Sequence, residues 1–277
     1  MMFSSVRPDT LKELLEIIDH GDYYIFAGGT DLFIRKRQWQ GAERRFDKDV
    51  VFISHLEELR GIYEDSNYYK LRTCATQDEV ANSELLPDYL RLPYSLMGNP
   101  AIRNTATVGG NIVNAAKVAD SLPLFYALDA TIVLKSIQAD RILSIKDFIF
   151  GRYKTDRYEN EIIFEVIIPK EDFSGFRYKK IGSRKSSILS KLSVFIVYKK
   201  AHGKIVDLRV SIGAVNDIPI RSEDAEKEFI KDNNIEKFLL AIRETMEGED
   251  DRRSTKLYRE EVSLRIIKSF LEEILDE

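Results

Sequence analysis

Two glycine pairs constrain this chain more than any other feature: AGGTDL at residues 27–32 and TVGGN at residues 107–111. A Gly-Gly step can take positive φ and brings main-chain N–H groups close to a ligand, so successive amides can form an anion-binding concavity without a basic side chain. Thr30 and Thr107 add hydroxyls at the edges. A lone pair of this kind is usually a turn between two elements. Two of them, flanked by short polar residues, point instead to two segments converging on one phosphate-bearing ligand. The run IRNTATVGGNIVNAAKVAD at residues 102–120 adds weight, because it concentrates Asn, Thr, Ala and Gly with few bulky apolar residues, as suits backbone wrapped round a polar ligand.

The flanking pattern reads as α+β. Residues 10–20 predict a helix with Thr10 and Glu13 as a capping box, Leu11, Leu14, Leu15 and Ile18 on one face, and Gly21 as its stop. A strand at 23–26 runs into the first glycine pair, and 50–53 supplies another. A strand at 69–75 leads to a helix starting near Thr76; 130–135 and 162–168 are β-rich, and Pro169 ends the second. Residues 171–175 mark a boundary. Beyond it, 176–180 and 205–212 read as strands, the latter alternating as in an antiparallel sheet with one wet face. The apolar run 193–199 fits a strand or a buried helix. Helices are predicted at 222–246 and 254–275, the last with Leu264, Ile267, Leu271 and Ile274 as its buried stripe. The units implied are 1–58, 59–170 and 171–277.

Composition narrows the function classes. With 277 residues, 44% of them hydrophobic, the chain can bury a sizeable core. A net charge of −4 gives no basic field for nucleic acid. Cys74 is the sole cysteine, which rules out an internal disulfide and a four-thiolate iron–sulfur cluster within one copy; within YKLRTCA it reads as a buried thiol. His20, His55 and His202 lack metal-ligand spacing, and no metal site is expected. There is no signal-like segment and no apolar run of about 18 residues, so a cytoplasmic location without a membrane span is the expectation. GxxxxGK[ST] and GxGxxG are both absent, as is any nucleophile paired with a base.

In its glycine segments the chain resembles the flavoprotein (medium) subunit of the molybdenum hydroxylases, the family of xanthine dehydrogenase, carbon monoxide dehydrogenase and aldehyde-oxidising enzymes. There an AGGTD-type segment and an IRN-x-AT-x-GGN segment ending in aspartate hold FAD. Further landmarks are LDATIVL at 128–134, Arg141 before KDF at 146–148, EVIIP at 165–169, YKKIGSRK at 178–185 and the pair Tyr258-Arg259, so the resemblance covers nearly the whole chain. It departs at Ala116-Lys117, where Ser-Pro is common, and at Ser186 and Ser187, where an acidic residue often follows the arginine matching Arg184.

The resemblance implies an α+β fold: a PCMH-type, vanillyl-oxidase-like FAD-binding domain of two subdomains, followed by a C-terminal α+β domain with an antiparallel sheet. FAD would lie between the two subdomains, held by Ala27, Gly28, Gly29, Thr30, Asp31 and Leu32 from one segment and Thr107, Gly109, Gly110 and Asn111 from the other. Asp120 would accept hydrogen bonds from the ribityl hydroxyls, or else cap the helix from Ser121; Lys180 and Arg184 would approach from the C-terminal domain. Neither glycine segment contains His or Cys, so the FAD is expected to be non-covalent. The implied activity is that of an oxidoreductase subunit without a catalytic side chain of its own, passing electrons from a 2Fe-2S small subunit to NAD or another acceptor beside a molybdopterin-binding large subunit. Two rival readings are a stand-alone FAD oxidoreductase, which needs a base over the flavin, and a scaffold member that has lost FAD.

Overall fold

The computed structural model describes residues 4–36, 46–184 and 187–277, and three principal sheets follow one another along them. The first has Asp49–Phe52 at its centre, with Ser5–Val6 and Tyr23–Phe26 parallel on either side. The helix Leu11–Asp19 provides the crossover and buries Leu14, Leu15 and Ile18. Thr10 accepts from the Glu13 amide as predicted, but the Glu13 carboxylate takes the Asp9 amide, not that of Thr10. The full reciprocal box forms instead at Thr76 and Glu79, heading the helix Gln77–Asn82.

The second sheet is antiparallel, in the order Ile62–Glu64, Tyr68–Arg72, Ile162–Pro169, Thr131–Lys135, Asp140–Ser144. Leu71, Ile132, Leu134, Val166 and Ile168 face a helical layer that contributes Tyr94, Val108, Ile112 and Phe125 to one core. Each fully buried side chain of this size is worth roughly 1.5–3 kcal/mol, so this core anchors the segment that carries the second glycine pair. Cys74, at the end of the second strand, is buried with Sγ 3.7 Å from the Ile53 carbonyl oxygen. Burial pushes its thiol up to about 12, which suits a packing residue and not a nucleophile.

The third sheet consists of Gly175–Ile181, Leu192–Ala201 and Lys204–Gly213, all antiparallel. His202 and Gly203 both have positive φ, the two-residue hairpin turn that matches strand twist. The ambiguous run 193–199 is a strand buried on both faces. Val194 and Ile196 pack on the C-terminal helices, while Phe195 and Val197 join the core of the second sheet. Such a strand has no polar face, so it loses the alternation that identifies a strand in sequence.

One predicted helix is two. The region 222–246 breaks into Glu223–Asp232 and Ile235–Glu244, because Asn233 takes φ 51° and Asn234 accepts from the Lys237 amide at 2.9 Å. Asparagine is favoured in both places, as a left-handed C-terminal residue and as an N-cap. The last helix, Lys256–Asp276, starts on Thr255 and buries Arg259, whose guanidinium donates to the Lys191 and Glu249 carbonyls and pairs with Asp251. Among the described residues no helix is long and apolar enough to cross a membrane.

Candidate flavin-binding cleft

The first glycine segment leaves the carboxyl end of the Tyr23–Phe26 strand and turns into the short helix Leu32–Arg35. Gly29 makes the turn with φ +67°, and a Cβ there would also lie 2.2 Å from the Phe26 ring. A Cβ on Gly28 would sit 1.9 Å from the Thr105 carbonyl oxygen, so Gly28 lets this segment touch the backbone leading to the second pair. Among the described residues, the amides of Gly28, Gly29, Thr30 and Asp31 find no acceptor. Four such donors in a row are open to an anion.

The second segment differs from the expectation of a wrapping loop. Thr107 caps a helix, Val108–Asn114, whose first turn holds both glycines at ordinary helical φ. Its amides are already engaged: Val108 with the Ala75 carbonyl and Gly109 with that of Thr73, both at 2.9 Å, Gly110 with Thr107 Oγ1 at 3.1 Å, and Asn111 with the Thr107 carbonyl at 3.0 Å. Gly109 is required by packing, since a Cβ would lie 1.8 Å from Thr73 Oγ1. A Cβ on Gly110 meets only Thr107 Oγ1, at 2.9 Å, and otherwise points into space. The first pair thus offers donors, and the second offers room.

Between the two segments lies a cleft of about 370 Å³. Ala27, Gly28, Gly29, Thr30, Asp31 and Leu32 line one wall, and Thr107, Gly109, Gly110 and Asn111 line the other. Thr73, Gln77, Arg35, Asn114 and Arg157 also line it, as do Ile53, Ile162 and Ile163. Of these only Asn114 belongs to a segment read from the sequence as ligand-facing, the run 102–120. Arg35 spans the two walls: its guanidinium donates to Asn114 Oδ1 and lies 4.3 Å from the centroid of the Tyr153 ring. No group of three His, Cys, Asp or Glu among the described residues is placed to hold a metal.

Asp120, Lys180 and Arg184 are not part of this lining. The Asp120 carboxylate is 2.7 Å from Lys180 Nζ, with both side chains only 6% exposed, and it accepts from the Ser190 hydroxyl. Lys180 also donates to the Leu96 carbonyl at 2.9 Å. Burial pushes the Asp120 carboxyl up, and Lys180 and Ser190 oppose that shift. Asp120 precedes the helix Ser121–Ala127 but makes no side-chain cap. It is one half of a buried ion pair joining the helical layer of the second unit to the third sheet. Arg184 is exposed and donates to the Ser187 carbonyl at 2.6 Å; its neighbours Lys185 and Ser186 lie outside the described residues. At the departure from Ser-Pro, burial and the nearby Arg259 draw the Lys117 ammonium's pKa down.

A family model described as the FAD binding domain in molybdopterin dehydrogenase matches residues 1–171. The chain belongs to that family. It is 26% identical to the glyceraldehyde dehydrogenase medium chain of Sulfolobus acidocaldarius, with 98% of each chain covered. It is 27% identical to the nicotinate dehydrogenase FAD-subunit of Eubacterium barkeri, over 99% of this chain and 97% of the relative. Among solved structures, reconstituted CO dehydrogenase from Oligotropha carboxidovorans superposes with a TM-score of 0.89, covering 100% of this chain and 98% of that one at 22% identity, which shows the shared fold. This member of the FAD-binding family is therefore an oxidoreductase subunit with a PCMH-type α+β fold, and its cofactor is FAD. The cleft suits that cofactor, with four unengaged amides on one wall and the space at Gly110 on the other.

Proposed function

We propose that this chain holds FAD non-covalently between its first two subdomains, 1–58 and 59–170, and relays electrons within a larger complex. Electrons arrive from a 2Fe-2S small subunit and leave to NAD or another acceptor, while a molybdopterin-binding large subunit oxidises the substrate. The residues 171–277 form the C-terminal flavoprotein domain, and Asp120 and Lys180 serve the site by fixing that domain's sheet against the second subdomain. FAD can take electrons singly and release them as a pair, and it asks of the protein only binding, orientation and tuning.

The observation that carries this reading is the chemistry of the cleft wall. Among the described residues it contains no His, Cys, Lys or Glu, and its one carboxylate, Asp31, is exposed. No described residue on the wall is a buried carboxylate, imidazole or amine able to take a proton from a substrate, as a stand-alone oxidase needs. The retained glycines and free amides speak against a scaffold that has lost its cofactor. In the assembled native complex, anaerobic substrate is expected to bleach the flavin absorbance within turnover time, while the isolated chain with the same substrate stays oxidised. Oxidation of a small hydroxylated substrate by the isolated chain at ordinary enzymatic rates would replace this reading with that of a stand-alone enzyme.

A further inference from the structure

Arg157 is the cleft residue whose chemistry the flavin relay leaves unexplained. It lies in the segment joining the strands Lys154–Thr155 and Ile162–Pro169, on the wall formed by Ile162 and Ile163. Its Nη1 donates to the carbonyls of Glu161 at 2.7 Å and Tyr158 at 2.9 Å, which holds the head group in place. Its Nε and Nη2 have no acceptor among the described residues, and no carboxylate pairs with it.

Two of the carboxylates beside it, Asp156 and Glu161, are already engaged, and the third, Glu159, is exposed. Asp156 and Glu161 both bind Arg141, at 3.1 Å and 2.7 Å, and Glu161 also accepts from the Tyr158 amide at 2.9 Å. The Arg141 network thus builds the segment and leaves Arg157 a half-buried cation that makes no direct ion pair among the described residues, with Glu161 and Glu159 acting on it only at longer range. Burial draws its pKa down, as expected for a charge partly removed from water. The other arginine of the cleft, Arg35, is committed to Asn114 and Tyr153. A guanidinium beside an apolar wall whose Nε and Nη2 find no acceptor is stabilised by a phosphate, through charge-assisted hydrogen bonds, or by the face of an aromatic ring.

The cleft therefore carries two separate ligand-facing features: the free amides of Gly28–Asp31, which can serve one phosphate, and Arg157, which comes from a different subdomain. A flavin mononucleotide has one phosphate. Only the adenylate half of a dinucleotide adds a second phosphate and a purine ring. Resting on the reading of this cleft as the FAD site, we propose that Arg157 recognises the adenylate half of FAD and makes the cleft selective for the dinucleotide over FMN and riboflavin.

The test is calorimetric titration of the flavin-free chain with FAD, FMN and riboflavin, in wild type and in Arg157→Leu, with thermal unfolding as the check on folding. Arg157→Leu is expected to weaken FAD at least about tenfold, the worth of a hydrogen bond to a charged group, while leaving FMN and riboflavin within about twofold. Should the leucine variant unfold, Arg157→Gln, whose neutral amide can still donate to the Tyr158 and Glu161 carbonyls, is read in the same way. Repeating the FAD titration at several salt concentrations separates the two sources of adenylate recognition. A shallower salt dependence in the variant marks a phosphate contact, and an unchanged one marks stacking on the purine. Equal weakening of all three ligands, or unchanged FAD affinity, would overturn the proposal. Failure of the wild-type chain to bind any flavin would instead overturn the reading of the cleft on which it rests.

Discussion

Gly110→Val is expected to abolish FAD binding in a chain that still folds, whereas Gly109→Ala is expected to damage the fold itself. The two residues are adjacent in the first turn of the Val108–Asn114 helix, yet their surroundings differ. At Gly110 the added atoms meet only the capping hydroxyl of Thr107 and otherwise project into the cleft. Disturbing that cap costs about 1 kcal/mol, and valine is no worse than glycine inside a helix, so the protein survives while its ligand space is filled. At Gly109 the new Cβ collides with the Thr73 side chain at 1.8 Å and lies 3.1 Å from the Thr73 carbonyl oxygen, which is itself held by the Gly109 amide. Overpacking of this kind costs about 1–3 kcal/mol or more. The flavin-to-protein ratio, measured beside the thermal unfolding curve, separates the two outcomes. Wild-type flavin content in Gly110→Val would mean that the second segment is only a helix start.

Breaking the buried pair should cost more stability than any other single change considered. Asp120→Ala leaves Lys180 charged and unpaired in a site where each side chain is 6% exposed, and Lys180→Met does the reverse. Either is expected to destabilise the protein by about 3–5 kcal/mol, because the remaining charge keeps its desolvation cost without its partner. The double variant Asp120→Ala/Lys180→Met should be less destabilised than either single one, since both charges then disappear together. Chemical denaturation of the four proteins gives the coupling. Small, additive losses would show that the pair is effectively solvated, and Asp120 would again be open to a direct role toward the flavin.

Much of this was visible in the sequence wherever local rules decide the structure. The strand 23–26 entering a glycine turn, the helix from Thr76 and the apolar stripe of the last helix all rest on short-range patterns that tertiary contacts did not override. The strand over 193–199 was not decidable, because a strand covered on both faces looks like any apolar run. The break at Asn233 had a signal, the Asn-Asn pair, which amphipathic periodicity running across it concealed. TVGGN gave a helix despite its glycines because Thr107 caps it and residues 73–75 hold its first amides, partners more than thirty positions away.

The site was legible to the same extent. The two glycine segments read as backbone converging on one phosphate-bearing ligand, and both line one cleft, although the second does so as a helix start. Asp120 and Lys180 are sixty positions apart, and only the packing of the third sheet on the helix from Ser121 brings them together. Thr73, Gln77 and Arg157 enter the cleft because of where the second sheet and its connections place them, so no motif marks them. Arg157 had one faint signal: an arginine flanked by acidic residues that belong, in the fold, to Arg141.

Visible absorption of the purified chain, recorded before and after acid precipitation, decides whether this cleft holds non-covalent FAD. Oxidised-flavin bands in the native protein, one FAD per chain, and all of the yellow colour in the acid supernatant are the expected results. A colourless chain that takes up no added FAD, or colour retained in the washed pellet, would contradict the assignment of the cleft.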